Sequence, residues 1–386
     1  MKTYDVVIIG AGLAGLQCAR LLARQGAEIL LVDRKTELAK GVHTTGIFVR
    51  KTLEDFEFPA GTLGRAIRKV NLYSPCLRPI ALESEKDEFR VGKMGVLYES
   101  LLRECTDRGV EFLGGARCVS AEVPADADSA TIVRLEKNGS AFAVGARVLI
   151  GADGANSRVA KDLGLDENRE WIVGYEEVFR SNNDGEPVLH CFLDARLAPG
   201  YLAWIADDGE EVHVGVGGYA AGFNPRAALR EFREKTRHLY DPGEAEPVES
   251  RGGRIPVGGV LRRIANDHGL LIGDAAGAVS PLTAGGLDPA MRLSKFAAEI
   301  VAERLRTADP RVLRRYSGEL FRARFVSRLW MRRVIKTFTS QRLLELGCVF
   351  LRGRVGRRFA NHVFFGRGSF PDVEINHLPV RRLSKI

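Results

Sequence analysis

The segment 10–15, Gly-Ala-Gly-Leu-Ala-Gly, has the residue types and spacing of a turn that binds a pyrophosphate. It follows an apolar run, 4–9, that is typical of a buried strand, and it precedes a helical pattern. Gly10 permits a tight turn, Gly12 lets backbone N–H groups approach a phosphate, and Gly15 lets the helix pack closely on the strand. Because a helix N-terminus attracts anions, this segment predicts a dinucleotide site.

An acidic residue follows this turn at the distance expected of a ribose-binding carboxylate. Asp33 lies 18 residues after Gly15, at the end of a second predicted strand, 28–33. Its carboxylate can accept hydrogen bonds from the adenosine ribose hydroxyls, which favours an unphosphorylated ribose. The alternative is a simple connector between a strand and a helix, which does not require an acidic residue in this register.

Two later glycine-rich segments favour FAD over a nicotinamide dinucleotide. Residues 151–158, Gly-Ala-Asp-Gly-Ala-Asn-Ser-Arg, follow an apolar strand, and residues 273–277, Gly-Asp-Ala-Ala-Gly, precede Pro281, Gly285 and Gly286. A carboxylate at a strand end can bind a ribityl hydroxyl, and a glycine-rich helix start can present N–H groups to the flavin pyrimidine edge. That edge gains negative charge on reduction, so helix N-terminal donors there would stabilise the reduced flavin.

These three motifs, in this order, resemble those of the para-hydroxybenzoate hydroxylase-like flavoprotein superfamily and span positions 10 to 291. The resemblance implies non-covalently bound, extended FAD. The roles that it implies are Asp33 for the adenosine ribose, Val119 for the adenine through its backbone, Asp153 and Gly154 for the pyrophosphate region, Asp274 for the ribityl chain, and Gly285 and Gly286 for the flavin ring. The complete predicted FAD-contacting set is Gly10, Gly12, Leu13, Ala14, Gly15, Asp33, Arg34, Thr45, Gly46, Val119, Asp153, Gly154, Gly273, Asp274, Pro281, Gly285, Gly286 and Leu287.

Within that superfamily, the late glycine-rich run and the segment 199–205 look most like geranylgeranyl reductases. The Tyr-x-Trp-x-Phe-Pro element of those enzymes is partly matched, because Trp204 fits, Tyr201 lies one place early, and 206–207 read Ala-Asp. Their cysteine-glycine pair after the second strand is replaced by 43–46, His-Thr-Thr-Gly. The resemblance implies hydride transfer from reduced flavin to a double bond of an isoprenoid or other lipid-like substrate.

Three residues are candidates for work beside the flavin. Tyr201 and Trp204 could line a substrate tunnel, although aromatic side chains fill protein cores equally well. His43 is a candidate proton donor or flavin-proximal polar group, and the alternative is a structural histidine in a loop. The sequence assigns no general acid.

Two other reactions remain open on the sequence alone. One is a flavin monooxygenase that hydroxylates or epoxidises an aromatic or polyene substrate, and the other is a non-redox flavoprotein similar to carotenoid cyclases. The sequence has no second G-x-G-x-x-G motif, so we expect electrons from transient NAD(P)H or from a ferredoxin-like protein.

The hydrophobic periodicity predicts an α/β fold with three parts. A Rossmann-like FAD-binding domain, with a parallel sheet and a β-meander, is expected over 1–75, 95–165 and 265–310. A mixed-sheet substrate domain is expected over 76–94 and 166–264. Residues 311–386 are expected to form a basic helical C-terminal region.

Positive charge is concentrated in that last region. The net charge is +8, but residues 301–386 hold 20 Lys and Arg against 6 Asp and Glu. Residues 321–335 mix cations with an apolar face, which is typical either of a helix on an anionic membrane surface or of a helix packed on protein with solvated arginines. No nucleic-acid motif accompanies this charge, so no nucleic acid is expected as a partner.

The remaining composition indicates a cytoplasmic protein, located in part at a membrane surface. The initial apolar run is too short for a signal peptide, and no run of 18 apolar residues is present. The six cysteines are far apart and do not cluster with histidines, so we expect reduced thiols and no metal site.

Overall fold

The computed structural model describes residues 1–181, 185–322, 325–337 and 340–366. The strands, numbered along the chain, are β1 Thr3–Ile9, β2 Ile29–Asp33, β3 Ile47–Val49, β4 Leu63–Ile67, β5 Lys69–Tyr73, β6 Pro79–Glu83, β7 Phe89–Gly92, β8 Glu111–Gly114, β9 Ala116–Glu122, β10 Thr131–Lys137, β11 Ser140–Gly151, β12 Trp171–Arg180, β13 Val188–Phe192, β14 Ala203–Asp207, β15 Glu211–Tyr219, β16 Glu249–Pro256 and β17 Gly269–Leu271. The α-helices are α1 Leu13–Ala23, α2 Arg50–Asp55, α3 Met94–Asp107, α4 Arg158–Asp162, α5 Pro225–Thr236, α6 Leu287–Thr307, α7 Gly318–Arg322, α8 Val326–Thr337, α9 Gln341–Arg352 and α10 Arg354–Phe364.

The first sheet is the Rossmann-like core, with strand order β8-β2-β1-β11-β10-β9 and β17 beside β11. Strands β8, β2, β1, β11 and β17 run parallel, and β9 to β11 form an antiparallel meander. The runs Val6–Ile9 and Ile29–Val32 are almost completely buried, as expected for strands covered on both faces. The predicted parallel sheet with a meander is confirmed.

Helices α1, α3 and α6 cover this sheet, and α1 packs against both of the others. The core side chains of α1 include Leu16 and Leu22, which are fully buried. The Ser294 hydroxyl of α6 donates to the Ala14 carbonyl at 2.9 Å, which ties the two helices together near the glycine-rich turn. The FAD-binding core is therefore assembled from segments far apart in the sequence.

The second sheet has the order β16-β12-β15-β14-β13-β5-β6 and is mixed, because β5 and β13 are parallel while its other neighbours are antiparallel. A small third sheet has the order β3-β7-β4. The boundary predicted at residue 75 falls between β5 and β6, which pair with each other in the second sheet, because that sheet recruits both strands of the hairpin. The domain boundaries stay a prediction.

Helices α7 to α10 form the described part of the basic C-terminal region. Helix α9 packs on α10, and α10 contacts β6. Cys348 and Ala360 are buried in a cluster with side chains of the second and third sheets. Over the residues that the structure describes, no helix combines the length and the apolar character needed to cross a bilayer.

Candidate active site

A cavity of about 1060 Å³ lies at the carboxyl ends of the parallel strands β1, β2, β11 and β17. In open parallel sheets this edge is where ligands bind. The predicted FAD residues that line it are Gly10, Gly12, Leu13, Ala14, Asp33, Arg34, Thr45, Gly46, Asp153, Gly154, Gly273, Asp274, Gly285, Gly286 and Leu287. The structure therefore brings residues from three distant motifs to one surface.

The glycine-rich turn is shaped by two close backbone approaches. Gly10 has φ +108°, and a Cβ atom there would lie 2.2 Å from the Ala152 carbonyl oxygen. A Cβ on Gly15 would lie 1.9 Å from the Gly10 carbonyl oxygen. Gly12 differs, because a Cβ there would meet no atom of the described residues within 4 Å. Gly12 thus leaves open space at the cavity wall, as a bound pyrophosphate requires.

Helix α1 begins at this turn without a side-chain cap and without an acidic residue in its first turn. Asp33 instead fixes the backbone around it, since its carboxylate accepts from Ala11 N at 2.7 Å and from Lys35 N at 2.8 Å. Free N–H groups at a helix start are suited to phosphate. The turn, the helix start and Asp33 together fit the adenosine diphosphate portion of FAD.

Asp153 organises the second glycine-rich segment. Its carboxylate accepts from Ser157 Oγ at 2.6 Å, Arg158 N at 2.7 Å and Val159 N at 3.2 Å. Burial raises the pKa of Asp153, although these hydrogen bonds oppose the shift. The carboxylate therefore holds the turn before α4 in shape, and the adjacent Gly154, with φ +84°, faces the cavity.

Asp274 is a carboxylate in the cavity wall without a partner. Among the residues that the structure describes, no group donates a hydrogen bond to it, and desolvation raises its pKa to about 6. Ribityl hydroxyls would supply the missing donors. Nearby, α6 begins at Leu287 with Gly286 as its N-cap, and no described side chain caps it, so its first N–H groups are available to a flavin ring. This donor and acceptor arrangement fits the flavin end of FAD.

Three predicted FAD residues do not line the cavity. Gly15 provides the close packing described above, and Pro281 is buried beside Gly259. Val119 lies on β9 with 39% of its surface exposed, while its neighbours Arg117 and Cys118 line the cavity.

The cavity also has an apolar wall, built by two sheets and the C-terminal helices. We define the apolar wall as Ile47, Val49, Leu72, Phe89, Leu189, Cys191, Leu193, Leu202, Trp330, Met331, Val334, Ile335, Leu351, Phe359, Ala360, Val363 and Phe364. Its residues come from β3, β5, β7, β13, α8, α9 and α10 and the segments beside them. A site with polar donors on one side and an extended apolar wall on the other is suited to a redox cofactor that lies beside a hydrophobic substrate.

Comparison with known proteins agrees with this geometry. A family model described as FAD binding domain matches residues 95–332, and one described as pyridine nucleotide-disulphide oxidoreductase matches residues 4–182. A digeranylgeranylglycerophospholipid reductase of Methanopyrus kandleri is 31% identical over 335 residues, covering 79% of this chain and 78% of the relative. A second reductase of that organism is 30% identical over 321 residues, covering 79% and 82%.

The chain belongs to the digeranylgeranylglycerophospholipid reductase family. It is an FAD-dependent oxidoreductase of the geranylgeranyl reductase type, which confirms the predicted family and favours the reductase over the monooxygenase and cyclase alternatives.

Solved structures share the fold. A geranylgeranyl bacteriochlorophyll reductase-like protein from Thermoplasma acidophilum has a TM-score of 0.81 at 20% identity, covering 95% of this chain and 98% of that one. A flavin-dependent brominase has a TM-score of 0.62 at 17% identity, covering 94% and 98%. The scaffold is thus common to flavoproteins with different reactions, and the site residues carry the distinction.

In this reductase, Tyr201 and Trp204 lie against the glycines of β15 and face the cavity. A Cβ on Gly217 would lie 2.7 Å from the Tyr201 ring, and one on Gly215 would lie 2.2 Å from the Trp204 ring. The Tyr201 hydroxyl donates to the Thr283 carbonyl at 2.7 Å, just before the glycines that start α6. Strand β14 begins at Ala203, shortly after Gly200, whose φ of +70° turns the chain.

His43 lines the cavity, and its role as a proton donor or flavin-proximal polar group stays a prediction. Its Nδ1 lies 3.2 Å from the Gly252 carbonyl oxygen. Desolvation, with the charges of Lys35 and Arg34, lowers its pKa, so the ring is neutral near pH 7. Its cationic neighbours directly follow Asp33, which associates His43 with the predicted adenosine end of the cavity.

Glu176 and Arg251 form a buried ion pair that was not predicted from the sequence, and both residues line the cavity. Glu176 is 3% exposed and accepts from Thr45 Oγ1 at 2.5 Å and from Trp204 Nε1 at 3.2 Å. Arg251 Nη1 lies 3.4 Å from Glu176 and donates to the Thr44 carbonyl at 2.8 Å. The pair thus fixes the loop that replaces the family's cysteine-glycine element.

The charge of Glu176 is maintained by its surroundings. Burial would raise its pKa, but the His213 imidazole 3.6 Å away, the Thr45 hydroxyl and the Arg251 charge outweigh burial and lower it. The burial of Glu176 could have been predicted from the sequence, because Glu176 lies on the same face of β12 as the apolar residues Ile172 and Val178. An acidic residue on such a face is informative.

Proposed function

We propose that this enzyme reduces double bonds of an isoprenoid chain in a lipid-like substrate. The observation that carries the proposal is the apolar wall, which lies in the same cavity as Asp274 and the uncapped start of α6. Bound FAD, in its reduced form, supplies the hydride. The chain's own contribution is to hold the cofactor and to align an apolar substrate beside it.

We assign FAD to the residues of the three glycine-rich motifs. Gly12 and the start of α1 would bind the pyrophosphate, Asp33 the adenosine ribose, and Asp274 the ribityl chain. Gly286 and Leu287 would donate to the flavin ring from the start of α6. The remaining members of this assignment are Gly10, Leu13, Ala14, Arg34, Thr45, Gly46, Asp153, Gly154, Gly273 and Gly285, with Gly15 supporting the turn by packing.

Tyr201 and Trp204 are proposed to shape the substrate side of the site. Both rings are held by hydrogen bonds at their polar ends, to Thr283 and Glu176, and by glycine contacts beneath them. This support leaves little rotational freedom, so each ring presents a fixed apolar face to the cavity. A fixed face would keep a flexible prenyl chain in one orientation.

The reaction is tested with the FAD-loaded enzyme under anaerobic conditions. Dithionite-reduced enzyme is mixed with geranylgeranyl diphosphate, and the product is analysed by mass spectrometry. We expect a product two hydrogens heavier per bond reduced, together with reoxidised flavin. Oxygen uptake matched to hydroxylation of an aromatic substrate, with no prenyl reduction, would overturn the proposal.

The electron donor is proposed to be NAD(P)H or a ferredoxin-like protein, acting transiently. The sequence has one G-x-G-x-x-G motif, at the turn assigned to FAD, so a second resident dinucleotide is not indicated. Anaerobic stopped-flow measurement of flavin bleaching by NADPH, NADH and reduced ferredoxin identifies the donor. We expect one of the three to reduce the flavin much faster than the others.

The C-terminal helices are proposed to contact an anionic lipid surface. Residues 326–366 contain nine Lys and Arg and one acidic residue. Large apolar side chains are exposed on α8 to α10, namely Val326, Trp330, Val334, Leu343, Leu346, Val349, Phe350, Val355 and Phe359. Trp330, Val334 and Phe359 also belong to the apolar wall, so the exposed face continues into the cavity. A lipid could therefore enter the site from this face.

Liposome sedimentation at low salt tests this contact. We expect binding to vesicles that contain phosphatidylglycerol and weaker binding to neutral phosphatidylcholine vesicles. Phe350→Ser, 61% exposed and outside the apolar wall, should weaken binding without altering prenyl reduction in detergent. Equal recovery in the supernatant with and without anionic vesicles would remove the membrane proposal.

A further inference from the structure

Arg332 is a buried cation in the wall of the same cavity. It lies on α8 and is 3% exposed, whereas the next residue, Arg333, is exposed. Among the described residues, no carboxylate lies within 4.0 Å of its guanidinium. Burying a charge without a counter-ion lowers the stability of the folded state unless other groups compensate for the lost hydration.

Two tyrosines account for part of this environment. The guanidinium carbon lies 4.9 Å from the Tyr219 ring centre and 5.5 Å from that of Tyr201, and Nε donates to the Tyr219 hydroxyl at 3.0 Å. The same hydroxyl lies 3.0 Å from Glu170, a carboxylate that also accepts from Lys336 at 3.2 Å. Glu170 is therefore already paired, and it does not contact Arg332.

One edge of the guanidinium remains without a partner. Nη2 is buried and makes no hydrogen bond within the described part of the chain. Cation–π contacts offset part of a desolvation cost, but they do not use N–H donors. The planar, multidentate donor set of arginine matches a phosphate group.

The position of Arg332 identifies which part of a ligand it would meet. Met331 and Ile335, beside it on α8, belong to the apolar wall. On its other side, Tyr201 connects to the Thr283 carbonyl, next to the glycines assigned to the flavin. Arg332 thus lies between the apolar wall and the flavin end of the cavity.

We propose that Arg332 forms an anion subsite that binds a phosphate group inside the cavity. Such a phosphate can come from the polar end of a prenyl substrate or from a nicotinamide dinucleotide that reduces the flavin. A phosphate from a prenyl substrate presupposes the proposed reductase function, and a phosphate from a nicotinamide dinucleotide presupposes the proposed electron donor. The chemistry, a phosphate bound by a desolvated guanidinium, is the same.

The subsite is tested with FAD-loaded wild type, Arg332→Gln, Arg332→Lys and the matched control Arg333→Gln. Equilibrium binding of geranylgeranyl diphosphate and geranylgeraniol is followed by flavin difference spectra, with inorganic diphosphate as competitor. Loss of a hydrogen bond to a charged group should weaken diphosphate binding by roughly tenfold to a hundredfold in Arg332→Gln. The alcohol should bind within about twofold of wild type, and Arg332→Lys should be intermediate. Arg333→Gln should leave both affinities unchanged.

A second arm separates the two sources of phosphate. If the phosphate belongs to the electron donor, Arg332→Gln slows flavin reduction by NADPH. The dithionite-reduced variant then binds and reduces both prenyl compounds as the wild-type enzyme does. If it belongs to the substrate, the diphosphate alone loses affinity. Equal weakening of alcohol and diphosphate with unchanged NADPH reduction, or no change at all, would show that Arg332 only clamps the two tyrosines and would overturn the inference.

The outcomes also separate this inference from the proposed function. Failure of wild-type enzyme to saturate either prenyl compound would remove the reductase proposal. Competition by inorganic diphosphate that is present in wild type and absent in Arg332→Gln would still support the subsite. Arg333→Gln, a matched substitution at the next position of α8, shows whether a loss of competition in Arg332→Gln reflects the subsite or a general destabilisation of the helix.

Discussion

At the residue scale, Asp274 and Glu176 are two cavity carboxylates with opposite electrostatic surroundings. No residue in the described part of the chain donates a hydrogen bond to the Asp274 carboxylate, and desolvation raises its pKa to about 6. Burial alone would raise the pKa of Glu176 as well, but Arg251, Thr45 and His213 reverse that effect. The two residues should therefore affect stability in opposite directions as pH changes.

Asp274→Asn should stabilise the FAD-free protein above pH 6. The pKa of Asp274 in the folded state lies above its ordinary value of 3.8, so its contribution to stability falls as pH rises from about 4 to 6. The difference corresponds to roughly 3 kcal/mol at pH 7.5 and should vanish at pH 4. Thermal melting of the FAD-free protein at both values measures it.

The same variant should bind FAD more weakly, since the amide is a poorer acceptor for ribityl hydroxyls than a carboxylate. Fluorescence titration with FAD measures the affinity. Asp128→Asn, at a carboxylate whose side chain is 73% exposed, is the matched control and should change neither property. Wild-type FAD affinity in Asp274→Asn would contradict the ribityl assignment.

Glu176→Ala should lower the free energy of unfolding by roughly 1–3 kcal/mol at pH 7, because it removes the acceptor of Thr45 and Trp204, while Arg251 keeps its pair with Glu249. The pKa of Glu176 is lowered in the folded state, so the wild-type advantage is present above 4.5 and is lost as pH falls through the folded-state pKa. Urea denaturation at pH 7 and at pH 4 measures both effects.

Glu177→Ala is the control for this experiment, since Glu177 lies next in β12 and pairs with Arg233 nearer the surface. We expect a loss below about 1 kcal/mol there. Equal losses in the two variants would mean that the pair beside the cavity has no special weight.

Among the secondary-structure elements, the start of α1 contains two glycines with different roles. Gly10 is required for backbone packing, whereas Gly12 leaves space for a ligand. Gly10→Ala should unfold or severely destabilise the protein, because the new Cβ would lie 2.2 Å from the Ala152 carbonyl and φ is +108°. Gly12→Ala should leave the FAD-free protein folded, since its φ is −73° and its Cβ would meet no atom of the described residues within 4 Å. It should instead weaken FAD binding by obstructing the pyrophosphate.

Circular dichroism melting and FAD titration of the two variants measure this separation. Gly26→Ala, at a turn with φ +81° remote from the cavity, controls for the general cost of a side chain at a positive φ. If Gly12→Ala bound FAD as tightly as wild type, the pyrophosphate would not lie at this turn.

Across the whole molecule, the cavity is lined by all three sheets and by helices from both halves of the chain. A ligand that contacts all of them stabilises their assembly only in the folded state. FAD at about a hundred times its Kd should therefore add roughly 2.7 kcal/mol to stability. Differential scanning calorimetry with and without FAD tests this, and an unchanged Tm would contradict an FAD site in this cavity.

The cofactor class and most of the first sheet could be predicted from the amino-acid sequence. One short stretch of the chain contains β1, the glycine-rich turn, β2 and Asp33. Because strands, turns and helices form from residues close in sequence, the spacing of these residues predicts the dinucleotide site. The later motifs at 151–158 and 273–277 were recognisable for the same reason. Their meeting at one edge follows from the parallel arrangement of the strands.

Contacts between distant segments determine which residues of the second sheet and of the C-terminal helices reach the cavity, and these contacts are visible only in the folded structure. Glu176 meets Arg251 because β12 pairs with β16, a contact between strands that are distant in sequence. The sequence alone predicts Arg332 to be a solvated arginine of a basic amphipathic helix. In the structure, its guanidinium packs on Tyr201 and Tyr219 instead. Burial depends on what covers a face, and that information is not local to the helix.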